Sequence, residues 1–203
     1  MRKLLKGWRM ILDPIDSQAL APAIDKAVQA GIPVICFEAD SPDSIRLSHI
    51  GTVHYQAGAL MGEVVEKLLQ GRGMLLVEGG QLRSDNDKQR LEGFLQYIRK
   101  RTDMKVVDIR HHDGSSEQAL ADLEAMIDAH PHFDALVSMD WIAGSTSVLV
   151  WKAKGLNRDS ITFGMTPKIQ EAIRNGQISS VVSQNEQDSG RLLVESLWNA
   201  YRK

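Results

Sequence analysis

Acidic residues, an amide and an indole recur in this sequence at one kind of position, at the end of a short apolar run of strand length. The set is Asp13 and Asp16, Glu38 and Asp40, Glu78, Asp108, Asp140 with Trp141, and Gln184 with Asn185; Gly164 holds the same place after another run. Carboxylates and amides exchange hydrogen bonds with hydroxyls, and an indole stacks on the apolar face of a sugar ring, so the set is a polyol-binding repertoire. A strand-end Asp has a second use, as the N-cap of the next helix. Asp16, directly before Ser17, is expected to cap, whereas Glu38 and Asp140 are assigned to a ligand because Pro42 and Trp141 make simple capping by them less apt. Lys88 and Arg90 fall at the start of a predicted helix, where cations oppose the helix dipole. Two readings stay open for them: groups kept for an acidic or hydroxyl-bearing ligand, or solvated charges offset by Asp85 and Asp87.

Other chemistry is thinner. His111-His112-Asp113 and His130-Pro131-His132 have no further partners at metal-ligand spacing, so they are read as solvated loop histidines and no metal is assigned. Gly71-Arg72-Gly73 and Gly79-Gly80 flank a strand without a phosphate-cradling pattern and are read as turn glycines. Ser145 and Ser147 lack the strand-turn setting of a nucleophile elbow, and nothing pairs a nucleophile with a base, so no enzyme and no cofactor is expected. Cys36, the single cysteine, lies inside an apolar run and is read as a small core residue.

The 203 residues carry 24 Lys plus Arg against 26 Asp plus Glu, a formal net charge of -2. That balance supplies no global field for nucleic acid or anionic lipid. No run approaches the roughly 18 consecutive apolar residues of a membrane span, since Ile142 to Trp151 is broken by Gly144, Ser145, Thr146 and Ser147. Met1 to Met10 looks like the basic start of a signal peptide. Lys6, Arg9 and Asp13 interrupt any apolar stretch after it, so no export signal is expected in it.

The elements that must hold these residues alternate strictly. Strands are predicted at Arg9 to Leu12, Val34 to Phe37, His49 to Gly51, Met74 to Val77, Lys105 to Ile109, Ala135 to Ser138, Ile161 to Phe163 and Ser180 to Ser183. Helices are predicted from Ser17 to Ala30, about Tyr55 to Gln70, Asn86 to Arg101, Ser115 to Ala129 and Ile142 to Lys154. Two more follow, one with Thr166 as N-cap and Pro167 in its first turn, and one ending at Tyr201. Ser115 with Gln118 makes a capping-box pattern. Such alternation predicts an α/β fold of doubly wound parallel sheets with helices on both faces, a three-layer α/β/α arrangement. The loop at Ser41 to Ser44 and the isolated strand after it place a lobe boundary. Residues 1–51 with 184–203 then form a partial N-terminal lobe, and residues 52–183 a complete C-terminal one.

Asp13-Pro14-Ile15-Asp16-Ser17-Gln18 with Ala30-Gly31-Ile32-Pro33-Val34-Ile35 resembles a stretch of the type I periplasmic sugar-binding proteins of the ribose-binding class. Matches follow in order at His49-Ile50-Gly51-Thr52, Gln89-Arg90-Leu91-Glu92-Gly93-Phe94, Ala129-His130-Pro131, Thr166-Pro167 and Ser183-Gln184-Asn185. The resemblance implies two lobes that close on a small polar, sugar-like solute by a hinge, without transforming it. It implies the substrate-binding component of an ABC-type importer, periplasmic or extracellular in its intact form, truncated here at both ends. The alternative it allows is the ligand-sensing domain of a regulator or sensor kinase, with a membrane transporter or a sensor as the respective partner. By the same resemblance the ligand residues are Glu38, Lys88 with Arg90 nearby, Asp140, the position of Gly164, and Gln184; Trp141 joins them as the strand-end aromatic. Glu38-Ala39 replaces the family's common Asp-Arg, Gly164 stands where an Asp is usual, and Val53-His54 replaces Asp-Asn; losing the bidentate Arg and one carboxylate removes the most discriminating sugar contacts.

Overall fold

The structure, a computed structural model, describes residues 8–80 and 85–202. Its elements in chain order are β1 (Met10–Leu12), α1 (Ser17–Gln29), β2 (Val34–Phe37), β3 (Ser48–Ile50), α2 (His54–Leu69), β4 (Met74–Gly79), α3 (Asp85–Arg101) and β5 (Lys105–His111). They continue with α4 (Ser116–Ala129), β6 (Ala135–Ser138), α5 (Trp141–Lys154), β7 (Asp159–Phe163), α6 (Pro167–Arg174), β8 (Ser180–Val182) and α7 (Glu186–Tyr201). Strand and helix alternate as the sequence predicts, and every strand pairing is parallel. The chain divides into two compact units, Met1–Thr52 with Asn185–Lys203, and Val53–Gln184.

The smaller unit carries a three-stranded sheet in the order β1-β2-β3, with Met10 opposite Val34 and Ile35 opposite Ser48. Val34 and Cys36 share one face of β2 by the two-residue period and pack with Ile24, Leu20, Ala27 and Val28 of α1. Cys36 is buried and free, the core role expected of it. Asp16 caps α1 through the Ala19 N–H at 2.9 Å, also as expected. Among the described residues β1 has a strand partner on one side only, and its Met10 and Ile11 are exposed.

The larger unit carries five strands in the order β5-β4-β6-β7-β8. β4 and β6 are apolar on consecutive residues because both faces of the sheet are covered. Leu75, Val77, Ala135, Val137 and Met139 pack with Met61 and Val65 of α2 and Phe94 and Ile98 of α3. Leu76 and Leu136 point the other way, into Leu123, Met126 and Ile127 of α4 and Val150 and Trp151 of α5. The layers are therefore helix, sheet and helix. The order reverses between β4 and its neighbours β5 and β6, and the carboxyl ends at such a reversal are where open α/β sheets bind ligands.

Three local differences from the sequence reading affect that end of the sheet. β5 runs to His111, two residues past the expected Ile109, because an edge strand alternating Asp108, Ile109 and Arg110 shows no continuous apolar run. Gly79 and Gly80 are not turn glycines, as neither has positive φ. They allow close approach: a Cβ on Gly79 would lie 2.7 Å from the Met139 Cβ. Finally, Ser115 caps α4 through the Gln118 N–H at 3.2 Å, but the Gln118 side chain bonds Asp122 instead of reaching back, so the capping box is half made.

Candidate functional site

Polar groups from four elements meet at the carboxyl ends of β4, β5 and β6. Asp140, one residue past Met139 and at the mouth of α5, accepts the Ile142 and Ala143 N–H groups on Oδ1 at 2.9 and 3.0 Å. The sequence reading that Trp141 disfavours capping is thereby corrected. A cap uses backbone N–H groups of the first turn, and the residue after the cap turns its side chain outward, so Trp141 is half exposed beside an undisturbed cap. The Asp140 Oδ2 lies 3.0 Å from His112 Nε2 and 3.2 Å from where a Cβ on Gly80 would stand. Asp87 Oδ2 approaches the same point from α3, at 3.1 Å.

His112 is 1 % exposed, which corrects its reading as a solvated loop histidine. Burial alone would raise the Asp140 pKa, but the His112 hydrogen bond and charge and the two capping N–H groups outweigh it and hold the carboxyl below its ordinary range. Burial pulls His112 down, and the bond to Asp140 with the charges of Asp140, Asp87 and Asp113 raises it above the ordinary imidazole value. The neighbouring His111 donates from Nδ1 to the Gly80 carbonyl at 3.1 Å, which ties β5 to the same corner.

Behind this corner sits a buried cation. Arg90, 4 % exposed, donates to Asp87 Oδ1 at 3.0 Å, to the Met139 carbonyl and to His54 Nδ1 at 2.9 Å, and its guanidinium lies 3.9 Å from the Phe163 ring centre. Because Arg90 can only donate, His54 Nδ1 is the acceptor and the ring is neutral at that nitrogen. The burial of Arg90 overturns the solvated part of the second sequence reading, while its pairing with Asp87 is the offset that reading named. A desolvated guanidinium needs such partners, and here they lock α3 to the β6 end and to the start of α2. Lys88, in contrast, is exposed and lies 3.4 Å from Asp85 Oδ1, along the outer side of α3 with Leu91, Glu92 and Leu95.

Gln184 follows β8 at the end of the same unit and is half-buried. Gly164 ends β7 with φ 88, and a Cβ there would lie 3.7 Å from that of Trp141. Glu38 belongs to the other unit, at the end of β2. Its φ of 58 is a left-handed conformation that costs a non-glycine residue about 1 kcal/mol or more, and such strain clusters at functional positions. His49 Nε2 donates to the Glu38 carbonyl at 3.1 Å, which helps to hold that conformation. Asp40, two residues on, is committed to Arg46. Asp13 accepts the Ala39 N–H at 3.2 Å. Among the described residues no group of three or more His, Cys, Asp or Glu is arranged to hold a metal ion, and no helix is long and apolar enough to cross a membrane. Sequence reasoning did not single out His112, Asp87 or His54 for the site. The only signal for them was their position at strand ends and helix starts.

An open parallel sheet with a preorganised polar corner at its switch point is the build of an α/β domain that binds small molecules at strand ends. The chain belongs to the periplasmic binding protein family, whose model, described as a periplasmic binding protein domain, matches residues 10–203. It is 25% identical over 195 residues to the ribose import binding protein of Salmonella typhimurium, across 94% of this chain and 65% of that protein. It is 26% identical over 177 residues to a D-apiose import binding protein of Paraburkholderia graminis, across 86% of this chain and 57% of that one. An ABC transporter solute-binding protein from Burkholderia graminis, solved in complex with D-arabinose, superposes with a TM-score of 0.90 at 25% identity, covering 96% of this chain and 69% of that chain. This chain thus spans less than two thirds of the length of these two import binding proteins.

Proposed function

We propose that this chain is part of the substrate-binding component of an ABC-type importer and binds a small, sugar-like solute without transforming it. The carrying observation is Asp140, an ionised carboxylate that accepts two first-turn N–H groups on one oxygen and places the other, bonded to His112, beside Gly80 at the sheet's switch point. Its acceptor oxygen suits a ligand hydroxyl, and the half-exposed Trp141 beside it offers a stacking face. Relatives named for ribose and apiose import, and a solute-binding protein solved with D-arabinose, support pentose-sized polyols as the first ligands to try. The family's name supports a periplasmic setting for the protein in its intact form. Gln184 and Trp141 are proposed as direct contacts with Asp140, and Glu38 as the strand-end candidate of the other unit. Arg90 acts by holding Asp87, and Lys88 supplies an exposed cation near the helix start. The importer's membrane subunits are the proposed partners. The sensing alternative has no observation of its own in this chain, whereas relatives named for import favour transport.

Asp140→Ser separates binding from folding, because serine keeps the N-cap while removing the carboxylate. Calorimetric titration with D-ribose, D-arabinose and D-apiose is expected to show binding by the wild-type chain and a loss of about tenfold to a hundredfold in affinity for the variant, the value of one hydrogen bond to a charged group. The melting temperature is expected to change little. Silence of the wild-type chain across a broad panel of pentoses, hexoses and polyols would sink the proposal.

A further inference from the structure

We infer that His112 is a positioning residue for the ligand contact at Asp140, its Nε2–H aimed at the carboxylate by the Gly114 N–H on Nδ1, so that Asp140 remains a fixed, acceptor-only group. The inference rests on the proposed sugar-binding reading for its functional consequence, but its geometry does not.

The tautomer follows from hydrogen bonds on both ring nitrogens. The Gly114 N–H donates to His112 Nδ1 at 3.1 Å, and an amide N–H can only donate, so Nδ1 carries a lone pair. The proton of the neutral ring is then on Nε2, which lies 3.0 Å from Asp140 Oδ2 and 3.3 Å from Oδ1. Gly114 has φ 98, a conformation that favours glycine, so the turn delivering this N–H depends on the residue type there. The result is a directed chain: Gly114 N–H to His112, His112 N–H to Asp140, and Asp140 left with acceptor capacity beside Gly80.

Each link has a consequence for ligand choice. With Ile142 and Ala143 on Oδ1 and His112 bridging both oxygens, the carboxylate plane cannot rotate without breaking three bonds. Among the described residues every group bonded to Asp140 donates to it, so it selects a ligand hydroxyl or amine over a carbonyl at that point. A buried ring at the tip of β5 also reaches what a surface side chain could not: it sets the direction of a group on the next strand but one, across β4.

The test has one arm that needs no sugar. Nitrogen NMR of the imidazole in the wild-type chain, read on the alkaline side of the ring's titration, is expected to show His112 protonated at Nε2 and not at Nδ1. Carboxyl-carbon NMR is expected to show Asp140 titrating higher in His112→Ala than in wild type, and near the wild-type position in His112→Gln, whose amide can donate from a similar place. Asp87, Asp113, His111 and Glu78 also face this corner, so Asp140 is followed by its own resonance. In the second arm, calorimetry with D-ribose and D-arabinose is expected to show a loss of about tenfold or more in His112→Ala and recovery of most of it in His112→Gln. An Nδ1-protonated ring, or an Asp140 titration unmoved by His112→Ala, would overturn the inference whatever the sugar results. If the wild-type chain binds none of the sugars, the transport reading falls alone and the NMR arm still decides the role of His112.

Discussion

Gly93→Ala is expected to destabilise the larger unit by about 3 kcal/mol or more, although alanine is the better helix former by about 1 kcal/mol. The sign is set by a backbone contact. A Cβ on Gly93 of α3 would stand 2.0 Å from the Tyr55 carbonyl oxygen of α2, and one on Gly58 of α2 would stand 1.8 Å from the Arg90 carbonyl oxygen. The two helices thus cross through reciprocal glycines, with no side chain between them that could move aside. The added methyl must push α3 away from α2, and with it Arg90 from His54 and Asp87 from the corner above Gly80. Thermal unfolding followed by circular dichroism checks the effect on stability. Gly190→Ala serves as control, since Gly190 lies in α7 with nothing within 4 Å of the added carbon, and it is expected to stabilise by about 0.5–1 kcal/mol. Equal, small effects of the two substitutions would show that the crossing is not as close as described.

That crossing also explains which parts of the site could be read from the chain and which could not. The Asp87 to Arg90 pair is spaced three residues apart on a helix, and its proximity is legible. Its burial is not, because it follows from how near α2 and α3 approach, which no local pattern states. The same holds for His112. A His-His-Asp run after a strand reads identically whether it is solvated or covered. What covers it is the order β5-β4-β6, a pairing between segments far apart in sequence. Parallel layering itself was legible, since apolar runs such as Met74 to Val77 alternate with helical periodicity along the whole chain. The strand-end rule then pointed to Asp140, while its cap was missed because the reasoning weighed the bulk of Trp141 and not the backbone N–H groups behind it. Glu78 was marked as one more strand-end carboxylate. Its two-residue period in β4 puts it with Leu76 on the face beneath α4 and α5, where the charges of Asp122 and Asp140 both reach it.

Glu78→Gln is expected to make the protein more stable at neutral pH, by about 3 kcal/mol, and to remove a fall in stability with rising pH. Glu78 is fully buried, and neither carboxyl oxygen has a hydrogen-bond partner among the described residues. Its register partner on β6, Ser138, is also buried with its hydroxyl unpartnered there, and its partner on β5, Arg110, is turned to Asp108 and Asp122. Burial first, and then the charges of Asp122 and Asp140, push the pKa to about 9, with Arg110 opposing weakly. In the folded protein Glu78 is therefore a neutral acid at pH 7, whereas the unfolded chain ionises it near pH 4.5. Between those values the native state binds one more proton than the unfolded state, so the stability present below pH 4.5 declines by about 1.4 kcal/mol per pH unit until about pH 9. Glutamine has nearly the same shape and never ionises, so the variant and wild type are expected to match near pH 4.5 and to diverge steadily above it. At pH 7 the gap corresponds to a rise in melting temperature of roughly 5–10 °C. Denaturant unfolding of both proteins at pH 5, 7 and 8.5 measures it directly, and parallel stability profiles across that range would mean that Glu78 is charged and satisfied in the fold. A gap that opens with pH would show that the chain keeps a destabilising acid one strand position from Gly79, the glycine that lets Met139 and Asp140 approach the end of β4.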